Sequence, residues 1–214
     1  MPRLDRLSDT VAIFPLSGVL LLPRGLLPLN IFEPRYLNMV DDALAGDRLI
    51  GMVQPVSACA GGPAPEVYRT GCAGRITSLE ETDDGRYLIS LTGVSRFRVG
   101  DELPTVRGYR RVTADWQPFA GDLGDEEARI DRSRLTARLG DYFARQGISA
   151  NWDAIRQVSD ERLVTSLAMI CPFDAPEKQA LLEAPTLADR ADLLTTLIEM
   201  ALLGGGRGDD THRH

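Results

Sequence analysis

The apolar pattern of this chain passes from mainly strand-like to helical near residues 118–124, and that change limits the fold more than any single motif. Upstream of it, apolar residues come in short runs separated by turn residues; downstream they recur at helical spacing. Residues 11–16, 19–22 and 26–31 read as strands, divided by Ser17-Gly18 and by Pro23-Arg24-Gly25. Pro34 suits a first helical position. Leu37, Val40 and Leu44 follow as an apolar stripe, and Gly46 stands where a helix stops. Residues 48–54 return to strand, and residues 55–65 form a Pro/Gly/Ala loop too poor in large side chains for a core of its own. A hairpin follows, with arms at 74–81 and 86–94 around Thr82-Asp83-Asp84-Gly85, where Asp-Gly supplies the positive φ of a tight turn. Tyr87, Ile89 and Leu91 share one face of the second arm by alternation, while Leu88 falls on the other. Residues 96–99 and 109–116 give two more strands. Roughly seven or eight short strands with one helix predict a closed or nearly closed antiparallel barrel rather than βαβ units.

In the second half, Ile130, Leu135, Leu139 and Phe143 mark one helix and Asp125, Glu126 and Glu127 complement its N-terminus. Ser159 is the predicted N-cap of a helix through Leu163, Leu167 and Ile170 that stops before Pro172. Asp174-Ala175-Pro176-Glu177 is a capping-box pattern, and Thr186-Leu187-Ala188-Asp189 opens a last helix. The predicted organisation is a β subdomain over residues 1–120, a helical subdomain of about four helices over 121–203 and a flexible tail over 204–214.

Side-chain chemistry narrows the function. Both histidines, His212 and His214, lie in the tail, so the predicted folded body has no imidazole for nucleophile activation or zinc ligation. Cys59, Cys72 and Cys171 form no CxxC pair, which removes a cysteine metal site and fits a reducing compartment. Lys178 is the sole lysine, so no P-loop exists, and no serine stands near it in sequence to make a dyad. The acids Glu80, Glu81, Asp83 and Asp84 surround the hairpin tip, where solvation explains them. A formal charge of -7 disfavours nucleic acid unless Arg107, Arg110 and Arg111 make a local patch. The apolar stretch 11–22 is interrupted by Pro15 and Gly18 and is too short for a bilayer-spanning helix, which needs about 20 residues. The expectation is a cytoplasmic protein with no enzymatic activity, metal, cofactor or membrane association.

Several ordered motifs resemble one family. Residues 14–40, FPLSGVLLLPRGLLPLNIFEPRYLNMV, combine with Gly71-Cys72-Ala73-Gly74-Arg75-Ile76, Asp84-Gly85-Arg86, Gly93-Val94-Ser95-Arg96-Phe97-Arg98-Val99 and Lys178-Gln179-Ala180-Leu181-Leu182-Glu183. Together, over about residues 10–203, the chain is similar to the N-terminal, substrate-binding domain of Lon proteases. The resemblance implies an α+β fold: a PUA-like antiparallel pseudo-β-barrel with one short helix, followed by a helical lobe. It implies a binding module for unfolded or extended polypeptide segments or a protein partner, without the family's ATPase and peptidase domains. Candidate anchors are Phe32, Tyr36 and Met39, with Glu33, Arg35 and Arg96 as polar rim. Two other readings stay open: a regulatory scaffold or weakly self-associating domain without clients, and, less favoured, an RNA-binding module.

Overall fold

The computed structural model describes residues 7–56, 65–124 and 129–204; Cys59 and both histidines lie outside them. Strand β1 (Thr10–Pro15) and strand β2 (Leu26–Ile31) precede helix α1 (Pro34–Ala45), followed by β3 (Leu49–Val53). Strands β4 (Thr70–Glu81), β5 (Tyr87–Val106) and β6 (Tyr109–Asp115) complete one sheet, ordered β2-β5-β4-β3-β1-β6. The first half of β5 pairs with β2 and its second half with β6. Strands β5, β4, β3, β1 and β6 therefore pair in a ring, with β2 as an added edge.

The hairpin tip forms as its sequence dictates. Gly85 takes φ 79°, and Thr82 exchanges backbone bonds with Gly85 and Arg86 at 2.9 Å each. Three expectations are corrected. Residues 19–22 are not a strand: Leu20, Leu21 and Leu22 are buried as loop residues, so burial alone explains the apolar run. Strand β5 is one 20-residue element, not two short strands. β1 pairs with β3 in parallel, whereas every other strand pair is antiparallel.

Glycines let the ring close around Phe97. A Cβ on Gly51 or Gly71 would come within 2.7 or 2.8 Å of the Phe97 ring, so both positions give the aromatic its space. Phe97 also meets Trp116 at a 5.5 Å centroid distance, and Val11, Ile13, Leu49, Val53 and Val112 complete this core. Helix α1 buries Tyr36, Met39, Val40 and Ala43, an i, i+3, i+4, i+7 face rotated by one residue from the predicted stripe. Tyr87 and Tyr109 hydrogen-bond Asp41 and Asp42 of α1 at 3.1 and 2.7 Å.

The chain divides into two compact units, Met1–Glu126 with Met169–Glu183, and Glu127–Ala168 with Ala184–His214. Residues 169–183 thus group with the sheet, which a single boundary near 118–124 does not provide for. Helix α5 (Ala175–Glu183) lies in that segment and is tied down by buried polar side chains. Lys178 Nζ donates to Gly18 O at 2.7 Å, and Gln179 Nε2 donates to Thr70 O at 3.1 Å. Its start is the expected capping box: Asp174 N donates to Glu177 and Glu177 N to Asp174, both at 2.8 Å.

The second unit holds α2 (Arg132–Gln146), α3 (Trp152–Gln157), most of α4 (Asp160–Ile170) and α6 (Leu187–Gly204). Helix α3 is an addition to the four predicted helices, capped by Asn151, whose side chain accepts from Ala154 N at 3.0 Å. Helix α2 ends at Gly147, which is left-handed at φ 66°.

Candidate binding surface

The six residues singled out from sequence fall into three environments. Phe32 follows β2 directly and is 63% exposed. Glu33 and Arg35 are partly exposed and pair with each other at 2.8 Å, so Glu33 supplies no side-chain cap to α1. Tyr36 and Met39 face inward, which removes them as contact anchors. Tyr36 packs on Phe14 at a 4.2 Å centroid distance, and burial pushes its hydroxyl pKa up. Met39 is 0% exposed.

Arg96 is structural as well. Its Nη2 meets Asp122 at 2.7 Å, its Nη1 donates to Leu182 O at 3.1 Å, and its guanidinium lies 4.8 Å from the Phe119 ring centre. Asp122 also accepts from the Arg96 backbone N–H at 2.8 Å. This knot ties the 3-10 segment Gln117–Leu123 to β5 and leaves no free cationic head for a rim.

The apolar surface lies elsewhere, on the outer face of β2, β5 and the end of β4. Register places Pro28, Ser90 and Ser78 in one cross-strand row and Asn30, Leu88 and Glu80 in the next. Directly opposed residues share a face. Leu26 belongs to the same face, opposite Thr92, and is 63% exposed, while Leu88 is 40% exposed. The alternating partners Ile89 and Leu91 are buried on the inner face. Strand alternation carries Phe32 onto the side of Leu26 and Pro28. A shallow depression of about 540 Å³ opens here, floored by Leu88 and Ser90 between Pro28 and Asn30 on one side and Ser78 and Glu80 on the other.

Of the six sequence candidates, Phe32 lies beside this exposed face; Leu26, Pro28 and Leu88 were not among them. The off-phase position of Leu88 was the available signal. Arg107 and Arg110, offered as part of a basic patch, are held by acids: Arg107 by Asp42 and Arg110 by Glu102 at 2.7 Å. Arg111 donates to Pro104 O at 3.2 Å. Among the described residues, no group of His, Cys, Asp and Glu is placed to hold a metal ion. Among the same residues, no helix is long and apolar enough to cross a membrane.

The ATP-dependent protease La (LON) substrate-binding domain matches this chain over residues 10–200. The chain belongs to that family. This LON domain is 23% identical over 201 residues to the Lon protease of Azorhizobium caulinodans, covering 92% of the chain and 23% of that protein. With the Lon protease of Desulfosudis oleivorans it shares 30% identity over 104 residues, covering 47% of the chain and 13% of the relative. The chain thus spans about a quarter or less of the length of these relatives.

Among solved structures, a Lon N-terminal domain protein from Xanthomonas campestris superposes with a TM-score of 0.63 at 21% identity, covering 87% of this chain and 97% of that one. The N-terminal domain of Mycobacterium avium complex Lon protease gives 0.60 at 14% identity, covering 89% and 98%. Both likenesses carry the α+β fold. The LON family assignment supplies a substrate-binding domain as the coarse function.

Proposed function

We propose that this LON domain is a non-catalytic receptor for unfolded or extended polypeptide segments, which lie on the outer face of the β2–β5–β4 sheet. The observation that carries this reading is the exposure of Leu26, Phe32 and Leu88 on and beside one sheet face around a shallow depression. Isolated exposed apolar residues need no explanation, whereas a shared apolar face signals a partner. From residue 26 to residue 32 an extended chain covers about 20 Å, the reach of roughly six residues of a bound segment. Glu33 and Arg35 border the Phe32 end, and Tyr36, Met39 and Arg96 support the fold beneath or away from the surface.

Segments lie across the face rather than adding to the open edge of β2. Pro28 has no N–H, so the middle of that edge offers no donor to an added strand, a common way to blunt an edge. The pairing of Arg107 and Arg110 with carboxylates favours a polypeptide over RNA.

Titration with a reduced, carboxymethylated client, followed by fluorescence anisotropy, tests the reading. Saturable binding is expected, and Phe32→Ala with Leu88→Ala should weaken it about tenfold or more, as loss of central apolar contacts does. A double variant with an unchanged melting curve and unchanged affinity refutes the surface. Light scattering that shows stable oligomers, with no client binding, supports the scaffold reading instead.

A further inference from the structure

We infer that the depression between β2 and β4 is a subsite for one arginine or lysine side chain of the bound segment, with Glu80 as its counter-charge. The inference rests on the proposed polypeptide-binding reading and adds the chemistry of one position in the ligand.

Glu80 is the sole charged residue lining the depression, and it stands on the wall opposite Pro28 and Asn30. Its neighbours in the row are Leu88 and Asn30, neither of which is cationic. Two arginines that flank these strands in sequence are paired with other acids: Arg86 with Asp84 at 2.7 Å, and Arg35 with Glu33 at 2.8 Å. No ion pair among the described residues involves Glu80, Glu81 or Asp83, which leaves three carboxylates at this end of the sheet without a salt bridge.

The remaining lining suits a long basic side chain. Leu88 and Pro28 offer apolar contact to a methylene stem, while Ser78, Ser90 and Asn30 offer oxygen acceptors around the charged head. A glutamate or aspartate of the ligand would meet Glu80 with like charge, and a purely aliphatic side chain would leave the Glu80 carboxylate without a counter-charge. The best-fitting occupant has an apolar stem and a cationic tip. The bound segment is therefore apolar at the residues meeting Leu26 and Phe32 and basic at the residue seated over Ser90.

A charge-exchange cycle tests this. An apolar ten-residue peptide is prepared with a central arginine, with citrulline in its place, and with glutamate in its place. Each is titrated against the full chain and against Glu80→Gln. Arginine should bind about fivefold more tightly than citrulline to the unsubstituted chain, the scale of one solvent-accessible ion pair. That preference should vanish in Glu80→Gln and at 0.5 M salt, where the screening length falls to roughly 4 Å.

Equal binding of arginine and citrulline, or an arginine preference that persists in Glu80→Gln, overturns the subsite. In the first case, citrulline binding that still weakens on Phe32→Ala leaves the apolar receptor reading standing. Failure of all three peptides, together with failure of the unfolded client, overturns both. Glu80→Gln lies on an exposed strand end, and an unchanged melting curve separates any lost affinity from lost folding.

Discussion

Asp122→Asn tests whether Arg96 is a buried strut or a binding residue. The substitution keeps the shape of the side chain and removes its charge. In the structure, both partners are nearly enclosed, with side-chain exposures of 6% for Arg96 and 9% for Asp122. The carboxylate accepts from the Arg96 backbone N–H at 2.8 Å, from Nε at 3.0 Å and from Nη2 at 2.7 Å. Without that charge the guanidinium keeps its bond to the Leu182 carbonyl and its place over Phe119 but loses the carboxylate that three of its N–H contacts share. Removing one partner of a buried pair typically costs about 3–5 kcal/mol, because the other charge stays desolvated. For a chain of this length, each kcal/mol moves the melting temperature by about 2–4 °C, so a fall of about 10 °C is expected.

Trp116 packs against Phe97 and provides a local reporter for urea unfolding once Trp152 is replaced by phenylalanine. Arg96→Met combined with Asp122→Leu removes both charges and should lose less than Asp122→Asn alone, about 2 kcal/mol for the orphaned Leu182 carbonyl and Arg96 N–H. A loss under about 1 kcal/mol for Asp122→Asn, or a double variant less stable than the single one, would falsify the strut assignment. Client affinity of folded Asp122→Asn should stay unchanged, whereas a contact role for Arg96 would lower it.

Gly93→Ala should destabilise the chain by about 3 kcal/mol or abolish folding, because hard overlap with backbone has no rotamer escape. Its added Cβ would stand 2.0 Å from the Leu22 carbonyl oxygen, whereas Gly121→Ala meets nothing within 4 Å and should leave the melting curve unmoved. Asp84, hydrogen-bonded by Arg86 and Thr82, has its carboxyl pKa lowered to about 2. A depressed folded-state value means that the hairpin-tip contribution is complete above the ordinary carboxylate range and is lost as pH falls through about 2. Carboxylate NMR should show this value in the full chain and a return toward about 3.9 in Arg86→Gln; ordinary titration in the unsubstituted chain counts against the Arg86 contact.

Local signals in the sequence translated well where the interaction partners are close along the chain. The Thr82–Gly85 turn bonds across three residues, and the box at Asp174 and Glu177 closes on itself, so neither depends on the rest of the fold. Long-range decisions were not legible in the same way. The sequence suggests separate strands at 86–94 and 96–99 that stop before Gly100, yet β5 runs unbroken through Gly93 and Gly100. At Gly93 the backbone of Leu22 approaches, and at Gly100 the Thr113 side chain occupies the space of a Cβ. Those glycines answer to crowding from distant segments, which a local pattern does not encode. The parallel pairing of β1 with β3 has the same origin, since it depends on where α1 returns the chain.

The candidate site shows why apolar residues beside a helix start were a partial guide. Helix α1 carries Leu37 and Leu44 as well as Tyr36, Met39, Val40 and Ala43, so two overlapping stripes compete in the sequence. The helix buries the second most deeply. Tyr36 and Met39 are consequently core residues, and Phe32 escapes that fate because it precedes the first turn. Strand β2 gives even less warning: Leu26, Leu27, Leu29 and Ile31 are apolar on both phases, and only pairing with β5 decides which phase faces out. The second arm of the hairpin does carry a phase, set by Tyr87, Ile89 and Leu91, and Leu88 violates it. A large aliphatic residue on the wrong phase of an otherwise alternating strand gains nothing from the core, since its partner positions already fill it. Leu88 is 40% exposed on the same face as Leu26, so this one irregularity in the sequence marks the face on which the proposed surface lies.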